Sequence, residues 1–112
     1  MVVVKQTTDT DQVLLDEVVR TVHMIEPDAT VILYGSRARG EASADSDWDF
    51  LILVDGTVDG DRVDHVRHAL YRIEVEANTV LSAIVRNRQA WNDSSRPRTP
   101  FRVNVEREGI VL

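Results

Sequence analysis

TVILYGSRARGEASADSDWDFLILV, residues 30–54, decides how this chain folds. Thr30 to Tyr34 is an apolar run that ends at Gly35-Ser36. Trp48 to Val54 is a second run, apolar almost throughout. Short apolar runs bounded by turn residues read as strands. A run with no polar alternation reads as a strand covered on both faces, so the second is expected at the centre of a sheet. Between them, Arg37 to Glu41 can form a short helix and Ala42 to Ser46 a small polar loop.

The flanking sequence supplies helices to cover that sheet. Upstream, Leu14, Val18, Val22 and Ile25 form one apolar stripe at helical spacing. Thr8 or Asp9 can cap this helix, which is expected from about Asp11 to Ile25. Glu26-Pro27-Asp28 ends it, because proline disfavours helix in the residue before it. Downstream, Asp55 to Gly60 is a loop, and Asp61 can cap a helix burying Val63, Val66, Leu70 and Ile73. A third strand is expected within Glu76 to Val85. Trp91 to Pro100 is a polar excursion. Pro100 can start a last helix that runs through Glu108 with Phe101 and Val105 on one face, and Gly109 stops it. The order α-β-α-β-α-β-α, with a helix between the second and third strands, permits a βαβ crossover. The fold class is α/β (α+β), a small sheet flanked by helices.

The whole chain sets limits. Its 112 residues suit one domain spanning 1–112. A hydrophobic content of 43% is that of a globular protein and argues against disorder. No apolar run approaches the ~20 residues that span a bilayer. Met1 to Lys5 is too short and too soon polar for a signal peptide. The absence of cysteine excludes disulfides and thiolate zinc sites, and a cytoplasmic location is expected. A net charge of −6 makes the chain a poor general binder of nucleic acid or anionic membrane. A nucleotide can still bind where metal ions and local arginines supply positive charge.

The chemistry is concentrated in residues 35–49. Residues two apart on a strand share a face, so Asp47 and Asp49 project together and Trp48 points the other way. Two carboxylates on one rigid face suit Mg²⁺ or Mn²⁺, since magnesium is held by one or two carboxylates together with waters and phosphates. Gly35 lets backbone approach a phosphate closely. Ser36 adds a hydroxyl and an N–H, and Arg37 and Arg39 can neutralise a phosphate tail. Taken singly these features are ordinary: Gly-Ser is a common turn, Asp-x-Asp a common solvated strand end, and the arginines surface charge. Their joint placement, with Gly-Ser after one strand and the acids opening the next, is what points to a nucleotide and metal site. His65 and His68 also have a metal-binding spacing, but no third ligand accompanies them.

Gly35-Ser36-x₁₀-Asp47-x-Asp49 resembles the signature of the nucleotidyltransferase superfamily that includes DNA polymerase beta and kanamycin nucleotidyltransferase. The closest resemblance is to the minimal nucleotidyltransferases, small stand-alone domains. The tail from Thr99 to Ile110 is similar to the ending of many of them. The resemblance implies a mixed sheet flanked by helices. It implies binding of MgATP or another triphosphate, and transfer of a nucleoside monophosphate, AMP from ATP, to a hydroxyl. It also implies pairing with a HEPN-domain protein, the minimal domain acting as antitoxin and adenylylating its toxin partner. No direct nucleic-acid or membrane partner is expected, and a homo-oligomer is compatible with the sequence.

The family places a third carboxylate on a later strand. Here the segment Glu74 to Val85 puts Asn78 where an aspartate is often found, and a neutral amide cannot act as a base. Glu76, two residues earlier, shares that face if the strand is continuous. Two readings stand: Glu76 completes the catalytic set with Asp47 and Asp49, or the chain is a weak or inactive nucleotide- or partner-binding module of the same fold.

Overall fold

The computed structural model describes residues 9–112. The first helix, α1 (Asp9–Ile25), carries its stripe as read. Val18 and Val22 are fully buried, Leu15 joins them, and Leu14 and Ile25 pack at the margin. The Thr8 cap lies outside the described residues. The remaining elements are β1 (Thr30–Tyr34), α2 (Ser36–Arg39), β2 (Trp48–Val54), α3 (Gly60–Ala77), β3 (Leu81–Asn87), α4 (Arg88–Trp91), α5 (Pro100–Glu108) and β4 (Ile110–Val111). Among the described residues no helix is long and apolar enough to cross a membrane.

The four strands form one mixed sheet in the order β3-β2-β1-β4. β1 runs antiparallel to both β2 and β4, and β2 runs parallel to β3 through the α3 crossover. Strand alternation sends side chains to two cores. Phe50, Ile52, Val54, Val31 and Leu33 meet α1 and α3 on one face. Ile32, Leu51 and Leu53 meet Val105 of α5 on the other, with Tyr34, Trp91 and Phe101 at its margin. β2 is central, and its unbroken apolar run reflects burial on both faces. Trp91 and Phe101 serve packing: their rings meet edge-on at 5.7 Å, and Phe101 meets Tyr34 at 5.3 Å.

Three boundaries differ from the sequence reading. Asp59, rather than Asp61, caps α3 by accepting the Arg62 N–H at 2.8 Å. The third strand begins at Leu81, because α3 continues through Glu74, Glu76 and Ala77, all good helix formers. It ends at Asn78, which adopts the left-handed conformation at φ 51°. Two short elements, α4 and β4, had no sequence expectation; each is too brief to show a period.

Arg62 fastens the loop that leads into α3. It forms a two-pronged pair with Glu26, at 2.8 and 2.7 Å, and donates to the carbonyls of Asp55 and Thr57. Hydrogen bonding to Arg62 holds the Glu26 carboxyl below its usual range. Arg62→Met is expected to cost about 1–2 kcal/mol at neutral pH. Because Glu26 is depressed in the folded state, that contribution is present above the ordinary glutamate range and lost as pH falls through the lowered pKa. Urea denaturation at pH 7 and pH 3 should show a wide gap between wild type and variant closing at the acid end.

Candidate functional site

Strand register brings the two halves of the motif together. Tyr34 of β1 lies opposite Asp49 of β2, so the turn that follows Tyr34 sits beside the carboxylate. Gly35 has φ 79° and ψ −160°, a conformation open essentially to glycine alone. A methyl group built there would overlap the Asp49 Oδ2. Glycine is therefore required twice, by its backbone angles and by the carboxylate against it. The Gly35 carbonyl accepts from the N–H groups of Ala38 and Arg39, both at 3.1 Å, which winds α2 directly off the turn. Gly40, in the left-handed conformation, closes that helix.

Asp47, in the loop just before β2, is exposed and Asp49, on β2, is half-buried, whereas Trp48 between them is buried in the core on the opposite side of the sheet. Burial raises the Asp49 pKa above the usual aspartate range, the Asp47 charge raises it further, and Arg39 opposes them. The pair is thus short of positive charge. A divalent cation fits this donor set: hard oxygens, one of them half out of water, repelling each other across one residue.

The two arginines part company. Arg37 donates to the Ser46 carbonyl at 2.9 and 3.3 Å and lies 4.3 Å from the centre of the Trp48 ring. It clamps the loop that carries Asp47, on the face away from Asp49. Arg39 faces the carboxylates and pairs with Glu41 at 3.3 Å and with Glu108 at 2.9 Å. Ser36 is half-buried at the start of α2.

Glu76 stands in the last turns of α3, paired with Arg72 at 3.2 Å. It lines a cavity of about 430 Å³ with Arg37, Trp48 and Asn78. It shares no strand face with Asn78, because neither residue is on a strand. Asn78 is the helix cap, and its N–H donates to the Glu74 carbonyl. Glu74 in turn accepts the Leu81 N–H at 2.7 Å. The β3 residue opposite Asp49 is Ser82. Among the described residues no three acidic, histidine or cysteine side chains come together as a metal-ligand group. His65 and His68 are both exposed on α3.

One acidic neighbour of the turn was missed. Glu108, the last residue of α5, accepts from the Gly35 N–H at 3.4 Å and from Arg39. Its charge adds to those that raise the Asp49 pKa. It is far from Gly35 in the chain, and only its adjacency to the stop at Gly109, which precedes β4, could have hinted that it returns to β1.

Comparison with known proteins bears on the family and the fold. The profile of the family described as "Nucleotidyltransferase domain" matches residues 15–108. Among solved structures, one described as "Crystal structure of the toxin-antitoxin with AMP-PNP" shares the fold with a TM-score of 0.61 at 14% identity. The match covers 86% of this chain and 69% of that one. No curated protein sequence matches the chain.

Proposed function

Since the chain belongs to the family of nucleotidyltransferase domains, we propose that it is a single-domain, metal-dependent enzyme that moves AMP from ATP to a hydroxyl on a partner protein. The observation that carries this reading is the close approach of the Gly35 turn to Asp49, which sets backbone donors beside an under-neutralised carboxylate pair. The Gly35 and Ser36 backbone and the Ser36 hydroxyl would cradle the β- and γ-phosphates. Arg39 would offset charge on the departing pyrophosphate, and Arg37 would keep the Asp47 loop in place. Asp47 and Asp49 would hold Mg²⁺ or Mn²⁺, which supplies charge neutralisation at the phosphates when bound. The acceptor hydroxyl oxygen attacks the α-phosphorus and gives up its proton to solvent, a P–O bond to the acceptor forms, the bond from the α-phosphorus to the bridging oxygen breaks, and pyrophosphate leaves with that oxygen. Positioning and electrostatics do most of the work in such transfers.

The acceptor is proposed to be a HEPN-domain toxin partner, with this chain as its antitoxin. The fold shared with a toxin-antitoxin protein crystallised with AMP-PNP supports both the nucleotide and the partner class. Incubation with the partner, Mg²⁺ and ATP labelled at the α-phosphate is expected to label the partner, while γ-labelled ATP leaves it unlabelled. An unlabelled partner in the first arm would refute transfer.

A second reading is favoured by Ser82, a neutral residue where β3 faces Asp49. In it the domain binds MgATP and its partner without turnover. Calorimetry that finds MgATP binding, together with no α-label on the partner, would select this reading.

A further inference from the structure

The geometry points to Glu108 as the residue that sets how tightly the Gly-Ser turn takes a triphosphate, because its carboxylate occupies, in the nucleotide-free protein, the donors that a phosphate would use. This rests on the reading of that turn as the phosphate cradle.

Glu108 Oε1 accepts from the Gly35 N–H at 3.4 Å, and Oε2 accepts from Arg39 Nη1 at 2.9 Å. One carboxylate thus bridges the backbone donor of the turn and the arginine of α2. A phosphate entering the turn needs the same two partners, and one N–H cannot donate fully to two anions. The Glu108 side chain is only 13% exposed, so it is held at the turn and does not sample open water.

Both flanks hold it there. On one side stands α5, whose Val105 is fully buried against β1 and β2. On the other, the Gly109 N–H donates to the Val105 carbonyl at 2.7 Å, and Ile110 pairs with Leu33 of β1. The fit at Gly109 is close: a Cβ there would meet the Val105 carbonyl oxygen at 2.5 Å and Ile32 Cγ2 at 2.9 Å. The Gly35 bond is at the long limit for a hydrogen bond, and hence the contact most readily exchanged for a better acceptor.

The charges make the competition selective. Asp47 and Glu108 both act on Asp49, and Arg39 is the cation that opposes them. While Glu108 holds Arg39, an incoming polyphosphate finds that cation already shared. With the β- and γ-phosphates at the turn, as proposed above, a nucleoside monophosphate does not reach it and Arg39 together and escapes the penalty.

Glu108→Gln keeps the shape and removes the charge. It is expected to tighten binding of AMP-PNP with Mg²⁺ by about fivefold or more, the equivalent of one ordinary net hydrogen bond. AMP affinity is expected to stay within about twofold. A residue that merely braced the fold would, when altered, loosen the turn and weaken both ligands. Calorimetry on wild type, Glu108→Gln and Glu108→Ala with AMP-PNP and with AMP reads this directly. Tightening confined to the triphosphate in either variant supports the assignment. Equal or weaker triphosphate binding in both variants overturns it and leaves the proposed function intact. If none of the three proteins binds AMP-PNP, the phosphate-cradle reading fails and this inference fails with it.

Discussion

Asp49→Asn is expected to abolish nucleotidyl transfer and, in the same protein, to raise thermal stability. The loss arises because Asp49 is the carboxylate pressed against the Gly35 turn and close enough to Asp47 to feel its charge. An amide of the same size keeps the packing and removes the charge that, on the proposed function, holds the cation. A fall in rate of about a hundred- to a thousandfold is expected, the range seen when a key electrostatic contact to a reacting group is deleted. Asp47→Asn should share that loss. The gain in stability has a different origin. Burial and the Asp47 charge hold the Asp49 pKa above its usual value, so at neutral pH the folded protein carries an ion it disfavours. The ionisation penalty is full above the raised pKa and vanishes as pH falls through it. Asparagine removes it. Asp49 is partly open to water, so the gain is discounted to roughly 0.5 kcal/mol, which raises the melting temperature by about 2–4 °C at pH 7. Scanning calorimetry at pH 7 and pH 3.5, with transfer measured in parallel, checks both halves. A stable, fully active Asp49→Asn protein would remove Asp49 from the site altogether.

Gly35→Ala is expected to be the most damaging small substitution in the chain. Alanine meets two obstacles there. Its backbone would have to adopt φ 79° and ψ −160°, a region that costs side-chain-bearing residues about 1–3 kcal/mol. Its methyl would also collide with Asp49 Oδ2. Relief requires either turning the Asp49 side chain away from the strand face or opening the β1–β2 pairing at Tyr34. A total destabilisation of about 2–4 kcal/mol is expected in urea titrations. Triphosphate affinity should fall by more than about tenfold, because the donors of the turn move with the backbone. The contrast with Gly60 is informative: nothing stands within 4 Å of a Cβ built on that helical residue, so Gly60→Ala should leave stability unchanged or slightly improved. Equal stability of the Gly35 and Gly60 variants would show that the turn relaxes freely.

The parts of this fold legible from sequence are those whose signals are local. Thr30–Tyr34 and Trp48–Val54 announce themselves by apolar runs, and α5 by its proline start and glycine stop. The motif itself was legible, Gly-Ser after one strand and the acids at the start of the next, but the antiparallel register that sets Tyr34 opposite Asp49 was not, because residues 35–47 intervene and leave the pairing open. The α3–β3 corner was not legible either. Glu74, Val75, Glu76 and Ala77 carry no clear period, and the decisive feature, a left-handed Asn78, is a single residue. Glu76 was expected on the strand and is on the helix, which removes the shared strand face that made it a third acid. Arg37 and Arg39 look interchangeable in sequence, yet a two-residue offset sends one onto Trp48 and the other toward Asp49. Glu108 lay beyond local reasoning, since its partners are set by how α5 returns to β1.

Among the described residues the crossover through α3 makes β3 an outer strand of seven residues, longer than the rim of a small sheet can safely leave bare. Unpaired strand rims recruit foreign chains and seed aggregates. Here the helix that creates the rim also stoppers it. Arg67 of α3 donates to the Ala83 carbonyl through Nε and Nη2, each at 3.4 Å, and Glu74 of the same helix takes the Leu81 N–H. The opposite rim, β4, is two residues long and offers little to copy. Protection of that rim therefore rests on a pair of helix side chains.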